Sequence, residues 1–383
     1  ANGDYVIAWT SLPSPMSHAG FEFDEDCAVI VRRFAADGKA LGPETVLNAS
    51  SGCGRHTEPA IAVVGGGFLV VAWNGSADCG HSASPFAVVG QLLDSSGERV
   101  GGEFSIHCST HDSIPGPPSL VALDSAKYVV AWPTGDQAGT SAILASIGEP
   151  EEPTPAPRLV SGPAESPGTW TSMDLLSVPD GGFAAVWARG AFDDQSGQSP
   201  SQVVVRHFDF GGGPTGDTIA VDESGDTLQW DPTAERITNE LYVVGWKRVG
   251  PTGEAEFVVR VFDNDGAFQG PEFLVTDEVT DGPPDLASFG GDTIGVAWSS
   301  GSDEGCEDAL LVRHFSLIGT PVGEPVIARV LQRGHFSHPS IAQPGPGEAL
   351  LVWQRSPRNN SNHTLMGQDC ETGNIFSWRG MVP

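Results

Sequence analysis

The stretch GGGFLVVAW, residues 65–73, reads as one buried strand closed by a tryptophan. Variants of it recur as NGDYVIAW (2–9), SAKYVVAW (125–132), DGGFAAVW (180–187), NELYVVGW (239–246), GDTIGVAW (291–298) and GEALLVW (347–353). Aligned on Trp9, Trp73, Trp132, Trp187, Trp246, Trp298 and Trp353, the copies stand 64, 59, 55, 59, 52 and 55 residues apart. Fourteen residues before the second to seventh of these tryptophans stand Pro59, Pro118, Met173, Pro232, Pro284 and Pro339, each opening another short apolar run. A constant offset between two β runs means a fixed turn between them.

A second pair of runs follows most of the tryptophans, as in AVVGQLLDSSGERVGGEFSI (87–106) and FVVRVFDNDGAFQGPEFLV (257–275). A β run, an Asp- or Gly-bearing turn and another β run make a hairpin. Arg32, Gln91, Arg206, Arg260 and Arg313, with Gln368 by weaker alignment, recur near the end of the first run. Their reading is structural, a long polar side chain bridging neighbouring strands. The unit is thus four strands, A to D, in about 50 to 60 residues, the length of a propeller blade. Residues 1–383 are expected to form a single seven-bladed β-propeller of four-stranded antiparallel blades, with the repeated tryptophans packed between blades. The chain begins at strand B of the first unit. NIFSWRGMVP (374–383) reads as strand D of the last unit plus a tail. Either that tail or residues upstream of Ala1 fill the vacant strand-A place, so the terminal strands are expected to close the ring in one blade.

Composition agrees. Gly (49) and Pro (30) are about a fifth of the 383 residues and are spread evenly, as many turns between short strands require. No run approaches the roughly 18 apolar residues of a membrane helix, and the N-terminus shows no charged-then-apolar leader. The net charge is −30 and the lysines are only Lys39, Lys127 and Lys247, a surface that repels nucleic acid and anionic lipid. No nucleic-acid partner, no membrane insertion and a monomer are expected.

The motif G-F-V-V-V-W … V-x-x-R-F-D-x-x-G-x-x-x-G-x-x-F-x-V is similar to tandem repeats of many secreted and surface proteins of bacteria. The resemblance covers nearly the whole chain and is weakest in AILASIGEPEEPTPAPRLV (142–160), which lacks the Arg and the Phe. It implies an extracellular propeller and supplies no catalytic motif.

A–B and C–D turns share one face, and the longer B–C and D–A loops share the other, where binding is expected. His56, Trp170, Trp230, Asp281 and His338 lie zero to three residues from a strand-A start on that face, converging on the channel mouth as a ligand site. Trp170 and Trp230, assigned to D–A loops, are placed to stack on a sugar. Calcium is the expected cation if one binds, on acidic loop residues such as Asp303, Glu304 and Asp308. The DNDG at 263–266 is read instead as a plain hairpin turn. Cys27 and Cys53, like Cys79 and Cys108, fall in loops or strand ends of the same face. The expected disulfides are Cys27–Cys53 and Cys79–Cys108, with Cys53–Cys79 the rival pairing.

Tyr5, Tyr128 and Tyr242 all lie in strand B and are expected to be buried, so an exposed catalytic Tyr is not available, and no G-x-S-x-G occurs. The function read from these features is a secreted or cell-surface binding or adhesion module for a glycan or an extracellular protein. The alternative is a carbohydrate-active enzyme, a glycoside hydrolase or polysaccharide lyase, at the same channel mouth.

Overall fold

The computed structural model describes residues 3–11, 28–48, 57–75, 86–109, 113–123, 127–136, 141–153, 157–161, 172–179, 181–190, 201–222, 228–250, 252–277, 283–301, 307–332, 335–343, 345, 348–356 and 375–381. Cys27, Cys53, His56, Cys79, Trp170, Asp281, Asp303, Glu304 and Gln368, singled out in the sequence, lie outside the described residues.

The strands follow the repeat. The first sheet holds β1 (Tyr5–Ser11), β2 (Ala28–Phe34) and β3 (Thr45–Val46). The second holds β4 (Thr57–Val63), β5 (Leu69–Gly75), β6 (Ala87–Leu93) and β7 (Arg99–Cys108). In the third, β8 (Ser113–Pro115) and β9 (Ser119–Ala122) both pair with β10 (Tyr128–Asp136), followed by β11 (Ser141–Gly148) and β12 (Arg158–Leu159). The fourth is β13 (Met173–Ser177), β14 (Phe183–Arg189), β15 (Gln202–Phe208) and β16 (Ile219–Ala220). The fifth is β17 (Gln229–Arg236), β18 (Leu241–Val249), β19 (Ala255–Asp263) and β20 (Phe273–Thr276). The sixth is β21 (Asp285–Phe289), β22 (Thr293–Gly301), β23 (Glu307–Ser316) and β24 (Pro321–Gln332). The last is β25 (His335–Ala342), β26 (Glu348–Ser356) and β27 (Ile375–Met381). Among the described residues the only helical turn is a 3-10 turn over Gly65–Gly67.

This is an all-β propeller of four-stranded antiparallel blades, but six blades are found, not the expected seven. The sheets at the two ends of the chain hold three strands each, so the repeat is incomplete there. Ring closure by a shared blade is not seen among the described residues. β27 pairs with β26, in the place of strand C rather than strand D, and β1 pairs with β2. Counting back from Trp298, the repeat puts Arg313 opposite Val296; in the last sheet Trp378 holds that place, opposite Leu351.

Six apolar clusters fill the interfaces between successive sheets, and each contains the tryptophan of the later sheet. Trp187, for example, lies with Val129 and Ala131 of the sheet before it. Both faces of each middle strand are covered, which is why its sequence is a continuous apolar run. Trp73, Trp132, Trp187 and Trp246 are fully buried, and Trp298 and Trp353 nearly so. Trp9, in the first sheet, is half-buried. Tyr128 and Tyr242 are buried as expected, while Tyr5 is half-buried.

The repeated arginine has the structural role read from its position. The Nε of Arg32, Arg206, Arg260 and Arg313 donates to the carbonyl ten residues on, at Gly42, Gly216, Gly270 and Gly323, over 3.0 to 3.3 Å. Gln91 reaches the Val100 carbonyl in the same place. Each bond fastens strand C to strand D across the hairpin. In the 263–266 turn the Asp263 carboxylate accepts the N–H groups of Asp265 and Ala267, a hairpin cap rather than a cation loop.

Candidate site at the channel mouth

The first strands of successive sheets, β4, β9, β13, β17, β21 and β25, lie beside one another in that order as the inner strands of the propeller. Each enters from the long-loop face. Residues just before or at its start form a mouth, and later residues form layers beneath.

The proline expected to open each inner strand instead sits inside a β-bulge in three sheets. The register shifts by one residue between Thr57 and Ala60, Trp230 and Thr233, and Ser337 and Ser340. A bulge re-aims the side chains beside it. Asp231 and His338, each followed by the bulge proline, have positive φ of 48° and 49°, and they are the non-glycine residues with positive φ among those described. The residue before a proline ordinarily takes an extended backbone, so both positions carry strain of the kind that collects at functional sites.

Asp231 is held from two sides. Its Oδ2 lies 3.3 Å from the ammonium of Lys247, which is 4 % exposed, and its Oδ1 accepts from the Ser172 hydroxyl of the neighbouring sheet at 3.0 Å. Desolvation lowers the pKa of the His338 imidazole, which is within electrostatic reach of both Asp231 and Lys247. Trp230 is not in a loop, as expected, but in β17. It is half-buried and directly opposite Lys247, so the two side chains project from the same face of the sheet.

Below the mouth runs a hydrogen-bonded belt from the residue after each proline position. Ser119 Oγ donates to Asp174 Oδ1 at 2.9 Å. Thr233 Oγ1 lies 3.4 Å from Asp174 Oδ2 and 3.5 Å from Asp285 Oδ1, and the Ser340 hydroxyl donates to Asp285. One layer further in stands Glu235, where the other repeats have Ala62, Val121, Leu176, Ala287 and Ala342.

Each of the three carboxylates also accepts a backbone N–H from the next inner strand. Asp174 takes that of Ala234 and Asp285 that of Ile341, both at 2.9 Å, and Glu235 takes that of Ser288. An inner strand has a free edge of amide groups that must find acceptors, and the carboxylates supply them. Burial pushes all three pKa values up: Glu235 to about 8, with repulsion from Asp285 and Asp174 adding, and Asp285 to about 6.

Of the sequence-predicted ligand residues, the structure places Trp230 and His338 at one mouth. Asp231, Lys247, Ser172 and the belt were missed. Their signals were present: Lys247 follows its tryptophan where the other repeats have Thr10, Asn74, Pro133, Ala188, Ser299 and Gln354. Asp308 lies in β23, opposite Gly301 and Leu331. Among the described residues no three His, Cys, Asp or Glu side chains are grouped to hold a metal, and no helix is long and apolar enough to cross a membrane. Cys108 ends β7 opposite Ala87 and is disulfide-bonded.

No family model matches the sequence, and no curated protein does. Solved structures do match in fold. An ulvan lyase of the polysaccharide lyase family PL25, solved bound to -[GlcA(1-4)Rha3S]-, gives a TM-score of 0.62 at 8 % identity, over 93 % of this chain and 87 % of its own. A protein of unknown function from Dyadobacter fermentans gives 0.53 at 12 % identity, over 85 % and 94 %. At such identities the likeness is one of fold.

Proposed function

We propose that the protein is a glycan-binding module whose site is the channel mouth on the long-loop face. One observation carries the reading. Ser172, Trp230, Asp231, Lys247 and His338 come from three different sheets, and two of them are held in a strained backbone with their polar groups gathered at one place. An indole beside convergent hydroxyl, carboxylate, ammonium and imidazole groups is the chemistry a sugar ring requires. The fold shared with a polysaccharide lyase supports a glycan over a protein partner. The acidic, lysine-poor surface and the disulfide at Cys108 support a secreted or cell-surface location, since disulfides persist in oxidising compartments.

A glycan array with the whole chain tests the reading, together with the variant His338→Gly. Glycine relieves the positive φ, so the variant is expected to melt higher than the parent by a few degrees while losing at least tenfold in affinity. A variant that melts higher and binds unchanged would remove His338 from the site. An array with no glycan retained would remove the function.

A second reading, a carbohydrate-active enzyme, has its own observation. Glu235 stays protonated at neutral pH beside Asp285, which ionises near pH 6, an acid and a base pushed apart by their surroundings. Both are already bonded to backbone amides of the next strand, which favours the structural role. Turnover of acidic or neutral polysaccharides, abolished by Glu235→Gln, would reverse that preference.

A further inference from the structure

We infer that the mouth selects saccharides carrying an acidic group, with the sugar ring on Trp230 and the acid on Lys247. The inference rests on the glycan-binding reading and goes beyond it in naming the ligand class.

Three observations carry it. First, Trp230 and Lys247 are directly paired across β17 and β18. Directly opposed residues hold their Cβ atoms about 5 Å apart on one face, so the flat indole and the lysine side chain rise together from the same face of the sheet. Second, the ammonium is buried in a chain of net charge −30 that has only three lysines. Burying an ammonium costs several kcal/mol unless it is compensated, and for a neutral sugar a serine or glutamine, as at Ser299 and Gln354 in the equivalent places, would hydrogen-bond as well. Third, the counter-ion is Asp231, on a strained backbone inside a bulge. A pair built only for stability needs no strain. Asp231 in this position balances Lys247 while the site is empty and presents a carboxylate to ligand hydroxyls when an acid engages the ammonium. His338, facing both charges, stands where it can donate to the same acid.

The site differs from an anion-binding surface of the usual kind. The −30 charge repels polyanions at long range, so recognition is of one acidic group at short range, and a short acidic oligosaccharide should bind as well as a long one.

The experiment is calorimetric titration of the whole chain with three probes of equal length: an oligoglucuronate, the matching neutral oligoglucoside and its sulfated form. The parent and the double variant Asp231→Asn/Lys247→Met are compared. The double variant removes both charges together, and asparagine tolerates positive φ, so neither a lone buried charge nor new strain is left behind. Far-ultraviolet circular dichroism and the melting curve check its fold. Lys247→Arg is the second variant, keeping the cation if the double variant does not fold.

The expected result is that an acidic probe binds the parent at least tenfold tighter than the neutral one, and that the double variant erases the difference. Preference for the glucuronate over the sulfated probe identifies the acid as a carboxylate, and the reverse identifies a sulfate. A neutral probe that binds as tightly as either acidic one overturns the inference and leaves the glycan reading standing. Equal acid preference in parent and double variant overturns the role of Lys247. Binding of no probe, with no glycan retained on an array, overturns both readings.

Discussion

The carboxylate of Glu235 offers the sharpest test of the inner strands. Its pKa lies at about 8, against an ordinary 4.5, because burial disfavours the charge and Asp285 and Asp174 repel it, while the Ser288 N–H bond offsets a part. A group whose folded pKa is raised stabilises the fold fully below its unfolded pKa, and that contribution is lost as pH rises through the folded value. For Glu235 the window runs from about pH 4.5 to about pH 8. At about 1.4 kcal/mol per unit, the stability lost across it is on the order of 5 kcal/mol. Glu235→Gln keeps the shape and an acceptor for Ser288 N–H but cannot ionise. The variant should match the parent within about 1 kcal/mol near pH 5 and exceed it by several kcal/mol at pH 9, close to the full loss. The measurement is urea unfolding of both proteins at pH 5, 7 and 9, followed by tryptophan fluorescence. Two curves that fall in parallel with pH would show that Glu235 is ionised and solvated in the folded chain, and the buried layer would be wrong.

Two further outcomes are expected. Arg260 donates to the Gly270 and Val221 carbonyls and lies 3.9 Å above the Phe268 ring, so Arg260→Ala should cost about 2 to 3 kcal/mol in urea. The more exposed Arg32→Ala should cost about 1 kcal/mol or less, and equal losses would contradict the difference in burial. Peptide mapping without reduction should join Cys108 to Cys79, which precedes in sequence the β6 strand paired with β7; a Cys108–Cys53 peptide would refute this pairing.

The repeat made most of the fold legible. A buried middle strand must be apolar on both faces, so its sequence is conspicuous, and the tryptophan that fills each interface between sheets marks the period. The ends of the repeat were not legible, because NIFSWRGMVP is apolar and aromatic in a way that suits strand C as well as strand D, and only pairing decides between them. The mouth was half legible. His338 and Trp230 were visible as unusual residues near strand starts. The bulge that turns Asp231 toward Lys247 was not, because a proline reads the same whether it opens a strand or sits in a bulge within one. The belt was written in the alignment as Ser119, Asp174, Thr233, Asp285 and Ser340, one residue past the proline row, but single small polar residues in separate strands show no convergence until the ring is built.

That belt alternates hydroxyl and carboxylate, donor and acceptor, from one sheet to the next. Alternation imposes parity on the growth of the chain. Duplicating one unit within the belt would set two carboxylates, or two hydroxyls, side by side at the axis, leaving like charges opposed or a donor without an acceptor. Duplicating two units would preserve the order. A chain of this kind is therefore expected to gain or lose blades in pairs wherever the belt runs. The stretch before Ser119, where Ala60 breaks the alternation, is the place where a single unit can enter at no cost to the axis.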